Sequence, residues 1–292
     1  MQRVKRIFIL SLLVMGLALP AWAKGPGTTS ANFLKVGVGA RATALGEAYT
    51  ALVDDASALY WNPAALANME NSEFFTAYNS YLVGVSQGYI ALSFPSLGGN
   101  LGIGANYMDM GKFEGYNQSG NPTGNFGATD SYIFLGYGKK LSGGWSLGIS
   151  LGSLSDKIKD DTKSCLAGTV GVLKEIGGKY RLGAAAQNLG QNLGKDPLPL
   201  TFKIGGAAKF SSLTLSADAC LPNDNDAYFC LGLEWNLMKA FALRAGYRTG
   251  RDEGSGLSAG LGFKVGKFAF DYAFIPYGDL GDTHRVSLKI GF

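Results

Sequence analysis

The chain has 292 residues, of which 43 are Gly; aromatic residues make up 12% and charged residues only 16%. Glycine at about twice its ordinary frequency, with no Gly-X-Y period and no Pro enrichment, excludes collagen-like and disordered classes. The formal charge of +4 comes mostly from Arg3, Lys5 and Arg6. The rest of the chain is close to neutral, so no nucleic-acid footprint is expected.

Residues 1–23 read as a secretory signal peptide. A basic n-region is followed by the apolar stretch Ile7 to Leu19, then Pro20 and the A-x-A site Ala21-Trp22-Ala23. The stretch is too short and wrongly flanked for a spanning helix. No Cys follows the site, so no lipid anchor is expected there. Beyond it no run of 18 apolar residues remains, which argues against helical spans. A secreted β-sandwich and an outer-membrane β-barrel are the classes left.

Residues 24–71 predict a small helical unit. Leu45, Tyr49, Leu52, Ala56 and Leu59 recur at helical spacing. Asn62-Pro63 fits an N-cap followed by Pro at the first helical position. Asp54 and Asp55 suit a cation, but capping of the following short helix fits them better. Arg41 and Glu47 are candidates for tying this unit to the remainder of the chain.

From Ser72 to the end, 72–292, the period becomes two, and fourteen strands are predicted. They lie near 72–80, 87–95, 99–109, 129–141, 144–156, 163–175, 179–189, 199–210, 213–221, 227–236, 240–249, 256–265, 267–276 and 284–292. Each approaches the 9–11 residues that cross a bilayer when tilted. Trp145, Leu147, Ile149 and Leu151 alternate with Ser146, Gly148, Ser150 and Gly152. In general one face is apolar and the other small or polar.

Three features favour a membrane barrel over a sandwich. Even-numbered connections are short, such as Ser142-Gly143 and Gly266, whereas odd-numbered ones are mostly longer; Met110 to Ala128 is read as a long polar loop. Trp145, Tyr180, Phe210, Trp235, Phe241, Phe268 and Phe292 fall at the short-turn strand ends on the apolar face, as an interfacial girdle would. Finally, Val286, Leu288, Ile290 and Phe292 end the chain as an alternating strand with a terminal Phe, which resembles a barrel-assembly signal.

Backbone groups in lipid need partners within the protein, so the sheet must close. The prediction is an all-β fourteen-stranded antiparallel transmembrane β-barrel, with residues 24–71 entering from the periplasmic side as a hatch or plug. Lumen parity carries Arg181, Lys203, Asp218, Glu234, Arg244, Arg248, Lys264, Asp271, Arg285 and Lys289, where charges avoid lipid. Ion pairs with the plug are one reading of them and a solute pathway the other. Gly-x-Gly runs such as Gly102-Ile-Gly104 lie inside strands, cannot cradle phosphate, and read as small lumen positions and bends.

Gly37-Val-Gly-Ala-Arg-Ala-Thr-Ala-Leu-Gly-Glu-Ala-Tyr-Thr-Ala-Leu-Val-Asp-Asp-Ala-Ser-Ala-Leu-Tyr-Trp-Asn-Pro-Ala-Ala-Leu66 and Tyr277-Gly-Asp-Leu-Gly-Asp-Thr-His-Arg285 resemble the PorV/PorQ family, itself similar to FadL-type barrels with fourteen strands and an N-terminal hatch. The resemblance implies non-catalytic support of type IX-like protein secretion or surface delivery. Expected partners are outer-membrane lipid, the barrel assembly machinery, and secretion machinery or exported cargo. The alternative is a FadL-like transporter with a hydrophobic ligand; a weaker one is an esterase or lipase.

Chemistry-bearing residues are few. His284 is the only His, and a hydrogen bond at the barrel rim fits it better than a catalytic triad. One His among scattered carboxylates is a poor metal site, and no cofactor is expected. Cys220 and Cys230 flank one long loop on lumen parity. They form a candidate disulfide in an oxidising compartment, although the geometry between adjacent strands is demanding; Cys165 would stay free.

Overall fold

The computed structural model describes residues 25–251 and 253–292; the signal-peptide reading of residues 1–23 lies outside them. The period-two region forms fourteen strands: β1 (Glu73–Ser80), β2 (Ser86–Ser96), β3 (Gly99–Tyr116), β4 (Pro122–Lys140), β5 (Trp145–Ile158), β6 (Asp161–Ile176), β7 (Tyr180–Gly190), β8 (Thr201–Lys209), β9 (Leu213–Pro222), β10 (Tyr228–Met238), β11 (Phe241–Arg248), β12 (Leu257–Val265), β13 (Phe268–Pro276) and β14 (Asp282–Gly291). All neighbours are antiparallel and β1 pairs with β14, closing the barrel. Glu73 lies opposite Gly291, and Phe292 N–H donates to Ser72 O at 2.9 Å. Every strand therefore has two paired edges, as a nonpolar surrounding demands.

The alternation turns the large apolar side chains outward. Ile133, Leu135, Leu147, Ile149, Leu151, Leu231, Leu233 and Phe270 are all exposed on the outer surface. At the short-turn end Trp145, Tyr180, Phe210, Trp235, Phe268 and Phe292 are also exposed, which makes a ring of amphipathic and aromatic groups at one level.

Two expectations about the strand region are corrected. Met110 to Ala128 is not a long loop: β3 runs on to Tyr116 and β4 starts at Pro122, leaving a turn of residues 117–121, with a register shift between Asp109 and Lys112. The β5–β6 loop likewise shrinks to residues 159–160. Here polar, Gly-rich sequence continues the ladder as a ribbon, because cross-strand pairing satisfies the backbone whatever the side chains are. The lumen face is also not uniformly small or polar. On the β1–β6 side it carries buried Phe75, Tyr89, Met108, Tyr132, Phe134 and Leu154.

The N-terminal segment fills the barrel, but not as one amphipathic helix. Only Ala40–Ala44 and Ala58–Trp61 are α-helical, with 3₁₀ turns at Asn32–Lys35 and Pro63–Asn68. Leu45, Tyr49, Leu52, Ala56 and Leu59 are all fully buried, so the apolar spacing marks burial rather than one helix. The helix breaks because Gly46 and Glu47 take left-handed φ values of 63° and 69°, and because Tyr49 and Thr50 N–H donate to Asp218 Oδ2 at 3.0 and 2.9 Å.

The path of the segment is corrected as well. Ser30 N–H donates to Pro197 O at 3.0 Å in the β7–β8 loop, so the first described residues sit at the long-loop end. The chain then descends the lumen, passes Pro63–Asn68 against β4, β5 and β6, and enters β1 at the short-turn end.

Candidate functional site: the hatch seat

The charged half of the lumen is built around Arg41 on the helix Ala40–Ala44. Its Nε and NH2 donate to Glu234 Oε2 and Oε1 at 2.7 and 2.9 Å. NH1 reaches Asp54 Oδ1 and, at 3.1 Å, the Tyr49 hydroxyl. Glu234 is shared: Arg244 Nε donates to its Oε2 at 2.7 Å, and Arg244 NH1 donates to Asp271 Oδ1 at 2.7 Å. Lys209 bonds the far oxygen of Asp54 at 3.2 Å. Hatch and wall are thus joined by one alternating chain of charges, Lys209–Asp54–Arg41–Glu234–Arg244–Asp271. Fork-shaped guanidinium pairing fixes its geometry.

Burial alone would raise the Asp54 carboxyl, but Arg41 and Lys209 outweigh it and hold the group well below the usual carboxylate range. Burial also opposes ionisation of Glu47, and Arg248 with Lys203 overcomes it, so that Glu47 too lies low. Glu47 accepts from Arg248 NH1 at 2.6 Å. Asp55 turns inward to its own segment, accepting from Tyr49 OH and Ser57 N–H at 2.9 Å each.

Other wall groups read the hatch backbone directly. Gln187 Nε2 donates to Tyr60 O and Trp61 O at 2.8 and 3.0 Å. Arg285 NH1 donates to Gly37 O at 2.5 Å. Glu73 Oε1 accepts from Ala56 N–H at 2.6 Å, and Lys289 stands 3.6 Å from its other oxygen. Asn62 Oδ1 accepts from Ala64 N–H at 3.2 Å, while its Nδ2 donates to Thr50 O and Val172 O. Pro63 follows as the first residue of the 3₁₀ turn. Lys203 lies over the Trp61 ring at 4.6 Å.

Between these contacts the wall is glycine. A Cβ at Gly183 would come 2.7 Å from Thr50 O, at Gly138 2.7 Å from Ala67 N, and at Gly232 2.9 Å from the Leu45 side chain. At Gly148 and Gly246 it would collide with Pro63 and Gly46 backbone. These glycines sit at lumen parity on β4, β5, β7, β10 and β11 and form a seat for the hatch backbone.

The other half of the lumen is apolar. Phe75, Tyr89, Tyr132, Phe134 and Leu154 join Phe33, Leu34, Val38 and Leu59 of the hatch in one buried cluster. Tyr132 and Phe134 stack at 4.5 Å. At the long-loop mouth Lys35 and Thr29 both bond Asp224 Oδ2, and Leu193 and Leu198 close over the same cluster.

The remaining sequence candidates fall elsewhere. Arg181 approaches Glu175 at 3.7 Å, and Lys264 is exposed near the short-turn end of β12. His284 is exposed at the rim, with Nδ1 2.8 Å from the Tyr272 hydroxyl. Val286, Leu288 and Ile290 pair with both β13 and β1. The disulfide expectation is corrected: Cys220 and Cys230 are buried free thiols. The register sets Cys220 opposite Tyr228 and Cys230 opposite Asp218, so the two are diagonal rather than directly paired.

Sequence reasoning missed Glu73, Gln187, Asp224 and the glycine seat. The glycines carried a signal, since they share parity with the lumen charges. Their partners lie far away in the chain.

The closed antiparallel barrel is similar in fold to solved channel structures. The Pseudomonas putida toluene transporter TodX superposes with a TM-score of 0.64 at 11% identity, covering 88% of this chain and 99% of that one.

This is a FadL-type barrel fold.

The CymD monoaromatic hydrocarbon channel gives a TM-score of 0.60 at 12% identity (88% and 97% covered). A Pseudomonas aeruginosa FadL homologue gives 0.59 at 10% identity (87% and 98%). Residues 20–153 match the model of a family described as "Uncharacterised protein family (UPF0164)". No curated protein matches the chain. The secretion role implied by the PorV/PorQ resemblance finds no support in these matches.

Proposed function

We propose that this FadL-type barrel resides in the bacterial outer membrane and admits hydrophobic small molecules from its long-loop side, by binding and passage without covalent chemistry. The observation that carries the reading is the division of the lumen. Charges lock the hatch to one half, while the other half offers Tyr132, Phe134 and Leu154 in one apolar cluster with Phe33 and Leu34 of the hatch. An apolar ligand entering at the mouth would replace Phe33 and Leu34 on that surface and gain the same burial energy. The TodX and CymD channels are named for hydrocarbon passage, which makes hydrophobic solutes the first class to test.

The test is saturable binding of N-phenyl-1-naphthylamine and of radiolabelled toluene by the purified protein, with uptake by cells that express it. Binding that weakens on Tyr132→Asp, together with faster uptake than in cells lacking the protein, supports the proposal. Absence of saturable binding for both probes, with unchanged uptake, overturns it.

A further inference from the structure

The apolar half of the lumen contains polar atoms that the fold leaves without partners. Asp130 and Tyr89 are 3% exposed and Asn106 is 1% exposed. Asp130 Oδ1, Asn106 Nδ2 and the Tyr89 hydroxyl nevertheless have no hydrogen-bond partner among the described residues. Leaving a buried donor or acceptor in that state is costly, so these atoms mark a place for water or a ligand.

Register brings the three together. Tyr89 on β2 lies directly opposite Asn106 on β3, and Asn106 lies opposite Tyr132 on β4. Asp130 is the next lumen-facing residue of β4, opposite Met108. Asn106 and Asp130 are therefore diagonal neighbours, about 7–8 Å apart at Cα. The groups around them are already engaged. Gln87 Nε2 donates to Asn106 Oδ1 and to Val36 O of the hatch at 3.1 Å each, and its Oε1 accepts from Asn79 Nδ2 at 3.2 Å. The Tyr132 hydroxyl donates to Ala167 O at 2.8 Å. What remains is a carboxylate acceptor, an amide donor and a phenol hydroxyl, beside the stacked rings of Tyr132 and Phe134.

The chemistry of the missing partner follows. A hydroxyl both donates and accepts, so it can donate to Asp130 and accept from Asn106 or Tyr89. A hydrocarbon does neither. An ammonium has only donors and would leave Asn106 unpartnered. A carboxylate would meet two like charges, because Asp156 lies directly opposite Asp130, while Lys163, opposite Asp156 on β6, is exposed. Like charges brought this close repel.

We propose that the solute is a hydroxylated aromatic compound, its ring on the Tyr132–Phe134 stack and its hydroxyl bridging Asp130 to Asn106. This rests on the reading of the apolar sector as the solute surface. It narrows that reading from hydrophobic compounds in general to aromatic ones that carry a neutral hydroxyl.

Toluene, p-cresol and p-toluate share a methyl-bearing ring and differ only in carrying hydrogen, hydroxyl or carboxylate opposite the methyl. Each is titrated into the purified full-length barrel in detergent at neutral pH and followed by isothermal titration calorimetry. p-Cresol should bind about tenfold more tightly than toluene, and p-toluate more weakly than either. D130L and N106L each replace one polar partner by an apolar side chain of similar size, and heat-modifiable gel migration verifies folding. In each variant the advantage of p-cresol over toluene should disappear. Toluene bound as tightly as p-cresol, as would follow if water alone filled the gap, overturns this proposal and leaves the general reading standing. An advantage that survives in either folded variant does the same. Binding of neither compound overturns both.

Discussion

Arg41 satisfies Glu234, Asp54 and Tyr49 with one guanidinium, and it does so at the point where hatch meets wall. Removing one partner of a buried pair strands the other in a poor solvent, at a cost on the order of 3–5 kcal/mol. Glu234→Ala should therefore loosen the hatch by about that amount, since it abandons Arg41 and Arg244 together. Faster proteolysis of residues 25–71 in an otherwise intact barrel is the measurement. Acid should act at the same place. Asp54 and Glu47 are held below the ordinary carboxylate range, so the stability they contribute is complete above about pH 4–5 and falls away as the pH drops through their lowered values. The difference in hatch protection between the wild type and a D54N/E47Q variant, measured by hydrogen exchange, should be constant from neutral pH to about 5 and shrink below it. A difference that instead grows on acidification would contradict this assignment.

At the scale of elements, the question is how an irregular segment docks inside a regular cylinder. Its backbone polar groups need partners, and they find them in Asp218, Gln187, Asn62 and Arg285 rather than in a helix of their own. Close backbone approach requires walls without Cβ atoms, which the lumen-facing glycines supply. Gly148→Val should push Pro63 off the wall and expose the hatch, while leaving strand pairing intact; a cysteine placed at Ala64 would then become accessible to a thiol reagent. Asn62→Ala removes an N-cap worth about 1 kcal/mol and two further bonds to the hatch and wall. It should lower the thermal midpoint of the hatch before that of the barrel. The fourteen strands were legible from alternation alone, because period two is imposed by the pleat itself. The extension of β3 and β4 to Tyr116 and Pro122 was not, since a ribbon pairing outside the apolar belt needs no apolar face to announce it.

The whole molecule is a closed sheet whose last residue completes the first strand's end: Phe292 N–H meets Ser72 O. Deleting Phe292 should therefore reduce the folded, heat-modifiable species on gels. A deletion that assembles at the wild-type level would remove the terminal residue from the assembly signal. The lumen around this seam divides into an apolar and a charged sector. Its parity charges were visible in sequence, but the apolar sector was hidden behind an expectation of small and polar interiors. An interior packed by a segment of the same chain can be as apolar as that segment.

The amino-acid sequence by itself determined strand number, strand direction, which face turns outward and which residues turn toward the lumen. Strand number and direction follow from local periodicity and the need to pair every backbone group, and the outward face from the sorted connection lengths and the aromatic girdle. Tertiary structure alone decided that the hatch descends from the long-loop mouth, that Asp218 and Glu73 replace its missing helical bonds, and that Cys220 and Cys230 stand diagonal and unbonded. Those outcomes depend on which distant positions meet across the barrel. That is set by closure and register over the whole chain, and no local pattern encodes it.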